Sequence, residues 1–531
     1  MPNPTLFQAW EWYAPADGQH WARLGQNIPE LKALGIDRMW LPPGCKAGWE
    51  GSNGYDVYDL YDLGEFDQKG GKCTKWGPKE ALIDMARLAN KVKIGLLWDA
   101  VLNHKSAADY TEKCLAVIVD KNDRLKDISP IHEVEVWTGY DFSGRKGKYS
   151  TFRYHWHHFS GTDWEAALKT NDSLYKFVGP GKPGWAPDVD NSFGNSDYLM
   201  GNDLDYSQQE VRDDIHAWGE WVVKEVGLSG FRLDAVKHFS QHFLKEWIQR
   251  LDSKFPGRRL FHVGEYWRPD INVLRPVIEL MEGRLSLFDV PLACNMSKVA
   301  ASAPDADLRQ IFHGTLAKHY PAQAVRDHEV DPIPFWFVPL GYALILLRAN
   351  VGYPCVFYGD LYGISGHRPQ PPQPLLPRLM MARKLYAYEL SLSKLLCTLD
   401  PMLDDRTFVF ITLSPQQQLD PLPIPCSDLQ MTFREKEGLT IVTTLRRAEE
   451  HGFNYSYRSK MITLNVHSSL EAVGFMKVIS TALADEGLSS NPVSAYYHDH
   501  IFVKEEVAEK AVKVLNSIAD AFRAGRASRD A

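Results

Sequence analysis

The chain has no long apolar run, no basic cluster and no paired-cysteine motif, and each absence narrows what it can be. The longest apolar stretch, Phe335–Leu347, is too short for a membrane span and is interrupted by Pro339 and Gly341. The opening MPNPTLFQAWEWYAP lacks a charged segment followed by a long apolar one, so no secretory leader is read and a cytoplasmic location is expected. With a formal charge of −8 and no phosphate-tracking stripe, neither nucleic acid nor a membrane is an expected partner. The seven cysteines are scattered and none forms a CxxC pair, so free thiols in a reducing compartment are expected. No GxGxxG or Walker sequence offers a nucleotide site. What remains is a chain of 531 residues, 44% hydrophobic and 24% charged, with room for two to four domains that each bury a core.

To about residue 385 short β-rich runs alternate with amphipathic helical patterns. The strand candidates are Leu6–Trp10, Ile36–Leu41, Ile94–Asp99, Gly230–Asp234, Leu260–Gly264, Leu285–Val290 and Cys355–Tyr358. Helical periodicity lies between them, as in Glu80–Lys91, Glu210–Val226 and Gln241–Leu251. Such alternation predicts an α/β fold, a (β/α)8 TIM barrel over residues 1–104 and 207–388, whose catalytic face lies at the strand ends. An open doubly wound sheet is the other reading. Residues 105–206, rich in aromatics, Gly, Asp and Asn, are read as a small domain inserted after the third strand and walling one side of the cleft. Beyond residue 391 the pattern becomes α+β, with strands at Thr407–Leu413, Thr440–Thr444, Met461–Val466 and Ile501–Val503.

Three strand ends carry carboxylates: Asp99 in DAVLNH, Asp234 in GFRLDAVKH and Glu265 in GEYW. An enzyme that splits glycosidic bonds needs an anion on one face of the sugar and a proton donor on the other, because its transition state is oxocarbenium-like. Side chains at i and i+2 share a strand face, so Arg232 and Asp234 both point into the barrel. The arginine is expected to lower the aspartate's pKa and keep it an ionised nucleophile. Glu265, followed by Tyr266 and Trp267, is expected to be partly desolvated and able to donate a proton. A neutral His104 can hydrogen-bond a sugar hydroxyl, and the Asn103 amide oxygen is a hard ligand suited to Ca²⁺. Asp197, Asp203 and Asp205 add oxygens from the insertion; a calcium and plain turn-forming residues are equal readings of that inventory. His155, His157 and His158 are read as surface or cleft histidines, since no cysteine or spaced partner completes a zinc set.

These segments, with FQAWEWYAPADGQHW, GYDVYDLYDLGEFDQKG and GYPCVFYGDLYG, resemble the α-amylase family, glycoside hydrolase family 13, over about Thr5–Tyr388. The likeness is to its calcium-dependent liquefying-type and intracellular fungal members. The resemblance implies a retaining hydrolase of α-1,4-glucosidic bonds, with Asp234 as nucleophile and Glu265 as general acid/base. It implies substrate contacts by Tyr55, Asp99, His104, Arg232, Lys237 and His238, with Tyr55 as a stacking platform. It also implies one calcium, held by Asn103, Asp197, Asp203 and the carbonyl of His238. Ser160, Ala186 and Ser207 replace ligands of the additional metal sites.

Two departures stand out. The family's seventh strand ends in an apolar run and Asn-His-Asp, whereas this chain reads AQAVRDHEVDPIP, with His328 and Glu329 in register with the missing His-Asp. In place of the family's C-terminal β-sandwich, residues 391–531 resemble tandem ACT-like, ferredoxin-like domains, an implied site for a small effector such as an amino acid. Gly474, Asn491 and the segment around His498 are read either as effector contacts or as turns and strand ends. The leading expectation is α-amylase activity; the alternatives are a catalytically impaired glucan-binding or sensor protein and a family 13 transglycosidase.

Overall fold

A computed structural model describes residues 4–302, 305, 307–319, 323–324, 334–348, 352–366, 369–386, 392–414, 424–425, 428–466, 474–495 and 498–527. His328 and Glu329 lie outside the described residues, as do parts of the loops around Gly366–Arg378 and Pro415–Pro425. The chain divides into two units, Asn3–Leu385 and Tyr386–Ala531.

The first unit is built on eight parallel strands: β1 Leu6–Gln8, β2 Arg38–Trp40, β3 Gly95–Ala100, β4 Gly230–Leu233, β5 Phe261–Gly264, β6 Ser286–Leu287, β7 Gln323–Ala324 and β8 Tyr353–Phe357. They hydrogen-bond in the order β6-β5-β4-β3-β2-β1-β8-β7, so sequence neighbours are spatial neighbours around the barrel. Among the described residues no ladder joins β6 to β7. Of the seventh strand the described residues, Gln323 and Ala324, pair in parallel with Tyr353 and Pro354.

The flanking helices follow from their periodicity. In Lys79–Lys91 the residues Leu82, Met85, Ala86 and Ala89 are buried, Glu80 sits in the first turn and Lys91 in the last, an apolar stripe with charges that oppose the helix dipole. On β4, Phe231 packs outward on Trp247 at 4.9 Å between ring centroids and on Trp218 at 6.2 Å. The alternation of a strand then turns Arg232 inward.

After β3 the chain leaves the barrel into a six-stranded antiparallel sheet. Its order in residue numbers is 104–105, 202–204, 159–162, 174–177, 110–119 and 132–139. The first of these is the edge that touches the barrel: His104 pairs with Asp203 and Lys105 with Asn202. The insertion is therefore stitched to the end of β3 at the residues that carry chemistry.

The second unit has six strands, β9 Pro401–Leu413, β10 Leu429–Arg434, β11 Leu439–Thr444, β12 Ser456–Leu464, β13 Ser490–Ser494 and β14 Asp499–Lys504. They form one antiparallel sheet ordered β10-β11-β9-β12-β14-β13. Read across the sheet, β12-β9-β11-β10 has the 4-1-3-2 order of a ferredoxin-like unit, and so does β9-β12-β14-β13, with β9 in fourth place. Each half thus lends its central strand to the other. Strands β10 and β13, not anticipated from the sequence, are the two edges of the sheet and largely exposed. Among the described residues no helix is long and apolar enough to cross a membrane.

Candidate active site

The turn that follows β4 brings three carboxylates onto one guanidinium. Arg232 Nη1 donates to Asp99 Oδ1 at 2.7 Å and to Asp234 Oδ1 at 2.6 Å, while Nη2 donates to Glu265 Oε2. The three acids come from the ends of β3, β4 and β5, neighbours in the barrel. Ala235, directly after Asp234, has φ +49°, a left-handed conformation that a non-glycine residue adopts at some cost. In that turn its amide donates to Glu265 Oε2 at 3.3 Å, and the Val236 amide donates to the Glu265 carbonyl at 2.9 Å.

Asp234 and Glu265 open onto one cavity of about 330 Å³, within the range of small-molecule sites. Its lining includes Tyr55, His104, Arg232, Lys237 and His238, all expected from the sequence. It also includes Trp12, Leu199, Met200 and Trp267, which the sequence reading did not assign. Trp12 stacks on Tyr55 with ring centroids 5.8 Å apart and planes 13° apart, extending the aromatic platform. Leu199 and Met200 come from the insertion, between Asp197 and Asp203, so that segment does form a wall of the cleft.

Asp99 is fully buried beneath the cavity, with Oδ1 on Arg232 and Oδ2 accepting from Trp40 Nε1 at 2.8 Å and Tyr55 OH at 2.9 Å. It supports Arg232 from behind. Trp40 was missed because it ends β2, a strand with no charged motif, and only barrel adjacency places it beside β3.

The electrostatics also differ from expectation. Arg232 was expected to hold Asp234 low, yet burial raises the Asp234 carboxyl well above its ordinary value, and the nearby Glu265 and Asp99 add to this against the pull of Arg232. Burial likewise raises Asp99. One guanidinium against three carboxylates leaves the cluster two charges from neutrality, so it retains a proton readily, and that proton belongs to the group as a whole.

His104 is neutral, its pKa pushed down to about 4 by burial. Its Nε2–H donates to the Tyr55 carbonyl at 2.8 Å, so Nδ1 is a lone pair, 3.1 Å from the Asn103 side chain. Both nitrogens have protein partners, and the ring lines the cavity. Asn103 Nδ2 donates to the Asp197 carbonyl at 3.1 Å, to Asp203 Oδ1 at 3.0 Å and to the His238 carbonyl at 2.7 Å, so three oxygens converge on one point beside the amide. An acceptor at His104 Nδ1 favours the exchanged amide, which would add a fourth oxygen to that point, an arrangement a cation stabilises. Asp203 is fully buried, and its Oδ2 has no donor. The residues therefore fit a hard divalent cation. Asp205 is not available to one: Oδ2 accepts from Lys182 at 2.5 Å and Gln208 at 3.0 Å, and Oδ1 from the Ser207 hydroxyl at 2.5 Å and amide at 3.0 Å.

His157 and His158 do gain a partner that sequence spacing hid, since their ligand-type atoms lie within 4.8 Å of one another and of Glu210. His158 Nδ1 accepts from the His155 amide at 2.9 Å, so Nε2 keeps its proton and donates to Glu210 at 3.0 Å. That tautomer makes a hydrogen bond and not a metal ligand. In the second unit Gly474 caps the helix Phe475–Asp485 with φ +92°, Asn491 pairs with Phe502 across β13 and β14, and the His498 ring nitrogen donates to the Val466 carbonyl at 3.3 Å.

A parallel eight-stranded barrel with a carboxylate pair at the ends of β4 and β5 defines a glycoside hydrolase. The comparisons narrow this. The family description "Alpha amylase, catalytic domain" matches residues 20–256, and "ACT domain" matches 388–460 and 456–517. The chain is 40% identical over 396 residues to the glucan 1,4-alpha-maltohexaosidase of Bacillus sp. (strain 707), covering 73% of this chain and 76% of that one. It is 41% identical over 396 residues to the alpha-amylase of Geobacillus stearothermophilus, covering 73% and 71%. With the cytoplasmic alpha-amylase of Escherichia coli (strain K12) the identity is 40% over 375 residues, covering 68% and 75%. The chain belongs to the α-amylase family, glycoside hydrolase family 13, and carries two ACT domains at its C-terminal end.

Proposed function

We propose that the chain hydrolyses α-1,4-glucosidic bonds of starch-like glucans with retention of configuration. The observation that carries this reading is that Asp234 and Glu265 share Arg232 and open onto the same cavity. Asp234 attacks the anomeric carbon as the bond to the leaving oxygen breaks, and Glu265 gives that oxygen its proton. Water then attacks the glycosyl ester, passes a proton back to Glu265 and frees Asp234. Of the two side chains Glu265 is the more open to the cleft, 13% exposed against 9%, as a group that must reload from solvent should be. Tyr55 and Trp12 offer ring faces to the sugar.

A calcium ion would be held by Asn103, Asp197, Asp203 and the carbonyl of His238, supplying positive charge where the insertion meets β3 and the turn after β4. The second unit is read as a small-molecule module, an amino acid being the expected ligand, near Gly474, Asn491 and His498. A cytoplasmic location would match the one named for the Escherichia coli relative.

The test of the hydrolytic reading is reducing-sugar release from soluble starch, with Asp234→Asn as control; equal rates in the two proteins defeat it. Product lengths from maltoheptaose separate hydrolysis, which gives only shorter chains, from transfer, which also gives longer ones. Chelation should lower the melting temperature of the first unit and Ca²⁺ should restore it. Calorimetric titration with amino acids tests the second unit.

A further inference from the structure

We propose that Trp40 is a positioning residue of the catalytic centre, holding the Asp99 carboxylate and the Arg232 guanidinium in the arrangement that Asp234 and Glu265 require. The inference deepens the glucan-cleaving reading and rests on it.

Trp40 is 4% exposed and absent from the cavity lining, so it does not meet substrate. It acts on the site through two contacts. Its indole N–H donates to Asp99 Oδ2 at 2.8 Å. Its ring faces the Arg232 guanidinium, 4.8 Å from the ring centroid, a cation–π contact of the kind that strengthens with desolvation. The indole is itself fixed, edge-on to Trp10 at 6.2 Å and against Phe288 at 5.5 Å.

The chain of dependence is short. Arg232 Nη1 is shared between Asp99 and Asp234, so the position of Asp99 sets how the guanidinium divides itself, and Nη2 carries that setting to Glu265. Asp99 Oδ2 has two donors, Trp40 and Tyr55, and Tyr55 also lines the cavity, where it must respond to substrate. Trp40 is the donor that stays put. Indole is donor-only, so it selects the ionised form of Asp99, which a tyrosine or histidine there would not do as strictly. The charged and titratable groups facing Asp99 are Arg232, Tyr55 and Asp234. Losing the indole donor therefore favours protonation of Asp99 and loosens the hold on Arg232.

The experiment compares wild type with Trp40→Phe, which keeps a ring and loses the donor, and with benzothienylalanine placed at 40, which keeps the indole shape and lacks only the N–H. Kinetics on a p-nitrophenyl maltooligosaccharide are followed from pH 4 to 9. The same proteins, labelled with ¹³C at aspartate carboxyls, are titrated by NMR. The expected result is a kcat lower by about 10- to 100-fold with KM within about twofold, as misplacement of catalytic groups produces. The acidic limb of the kcat profile and the Asp99 titration should both move to higher pH in both variants. Should Trp40→Phe fail to fold, the isosteric replacement decides alone. Unchanged kcat, acidic limb and Asp99 titration in the benzothienyl protein overturn the proposal. A wild type without turnover overturns the glucan reading instead, and the Asp99 titration then still judges what Trp40 does to the cluster.

Discussion

The two units bury different things. In the first, charged and polar side chains lie deep in the fold: Arg232 with Asp99 and Asp234, Asn103 and Asp203, Lys46, Lys105 and Arg145. In the second, Thr443, Ser459 and Asp499 are the buried polar residues among those described, and the interior is otherwise aliphatic and aromatic. Ile462, Leu464, Ile501 and Val503 meet the helices on one face, while Met461, Phe502, Phe408 and Val442 cluster separately. Burying ions is costly unless each finds partners. The first unit bears part of that cost where it has chemistry to perform; among the described residues the interior of the second is largely apolar.

The contrast can be broken most sharply at Arg232. Arg232→Gln leaves three buried carboxylates without their counter-ion, and should lower kcat by at least about a thousandfold while destabilising the first unit by about 3–5 kcal/mol. Starch hydrolysis and calorimetric melting measure the two effects; a well-folded, active variant would show that the acids do not depend on it.

The matching probe in the second unit is Ile462→Ala, which removes a fully buried side chain from β12. A loss of about 2–5 kcal/mol in the melting of that unit is expected, with starch hydrolysis unchanged. A fall in kcat would erase the separation between the units.

A smaller effect sharpens the comparison within the barrel. His262 on β5 is fully buried, neither ring nitrogen has a partner, and burial pushes its pKa down to about 3. Below about pH 6.5 the unfolded chain takes up a proton that the folded histidine refuses, so this residue's contribution worsens as pH falls from 6.5 toward 3 and changes no further below that. His262→Phe, which keeps the stacking on Phe231, should stabilise the first unit by about 1–3 kcal/mol at neutral pH. The gain should widen by up to about 1.4 kcal/mol per pH unit below 6.5. A gain that shrinks on acidification would contradict the sign. The smallest change expected is at an exposed pair in the second unit, Arg406 with Asp404 at 2.7 Å. There Arg406→Ala should move the melting free energy by less than about 0.5 kcal/mol.

Much of this was legible in the residues. Asp99, Asp234 and Glu265 sit at strand ends because the apolar runs before them could only be strands, and strands in a parallel barrel all end on one face. The alternation of β4 told that Arg232 and Asp234 share a side while Phe231 packs outward. Other features could not be read this way. Trp12 sits in a turn after β1, Trp40 ends a strand without a charged motif, and Met200 comes from an irregular loop, so no periodicity marks them. Of the two edge strands, β13 (SNPVS) carries a proline and no alternation, whereas β10 (LQMTFR) does alternate and was simply not read.

The sequence by itself determined which chemical groups are present, the order in which strands and helices follow, and therefore which acids reach the catalytic face. Only the tertiary structure decided that Asp99 stands behind Arg232, and that burial outweighs the arginine in setting how tightly Asp234 holds a proton. It likewise decided that the Asn103 side chain meets Asp203 and the His238 carbonyl. The reason is physical: propensity and pattern act over neighbours in the chain, whereas desolvation and hydrogen bonding depend on which groups, 33 or 133 residues apart, share the same few ångströms.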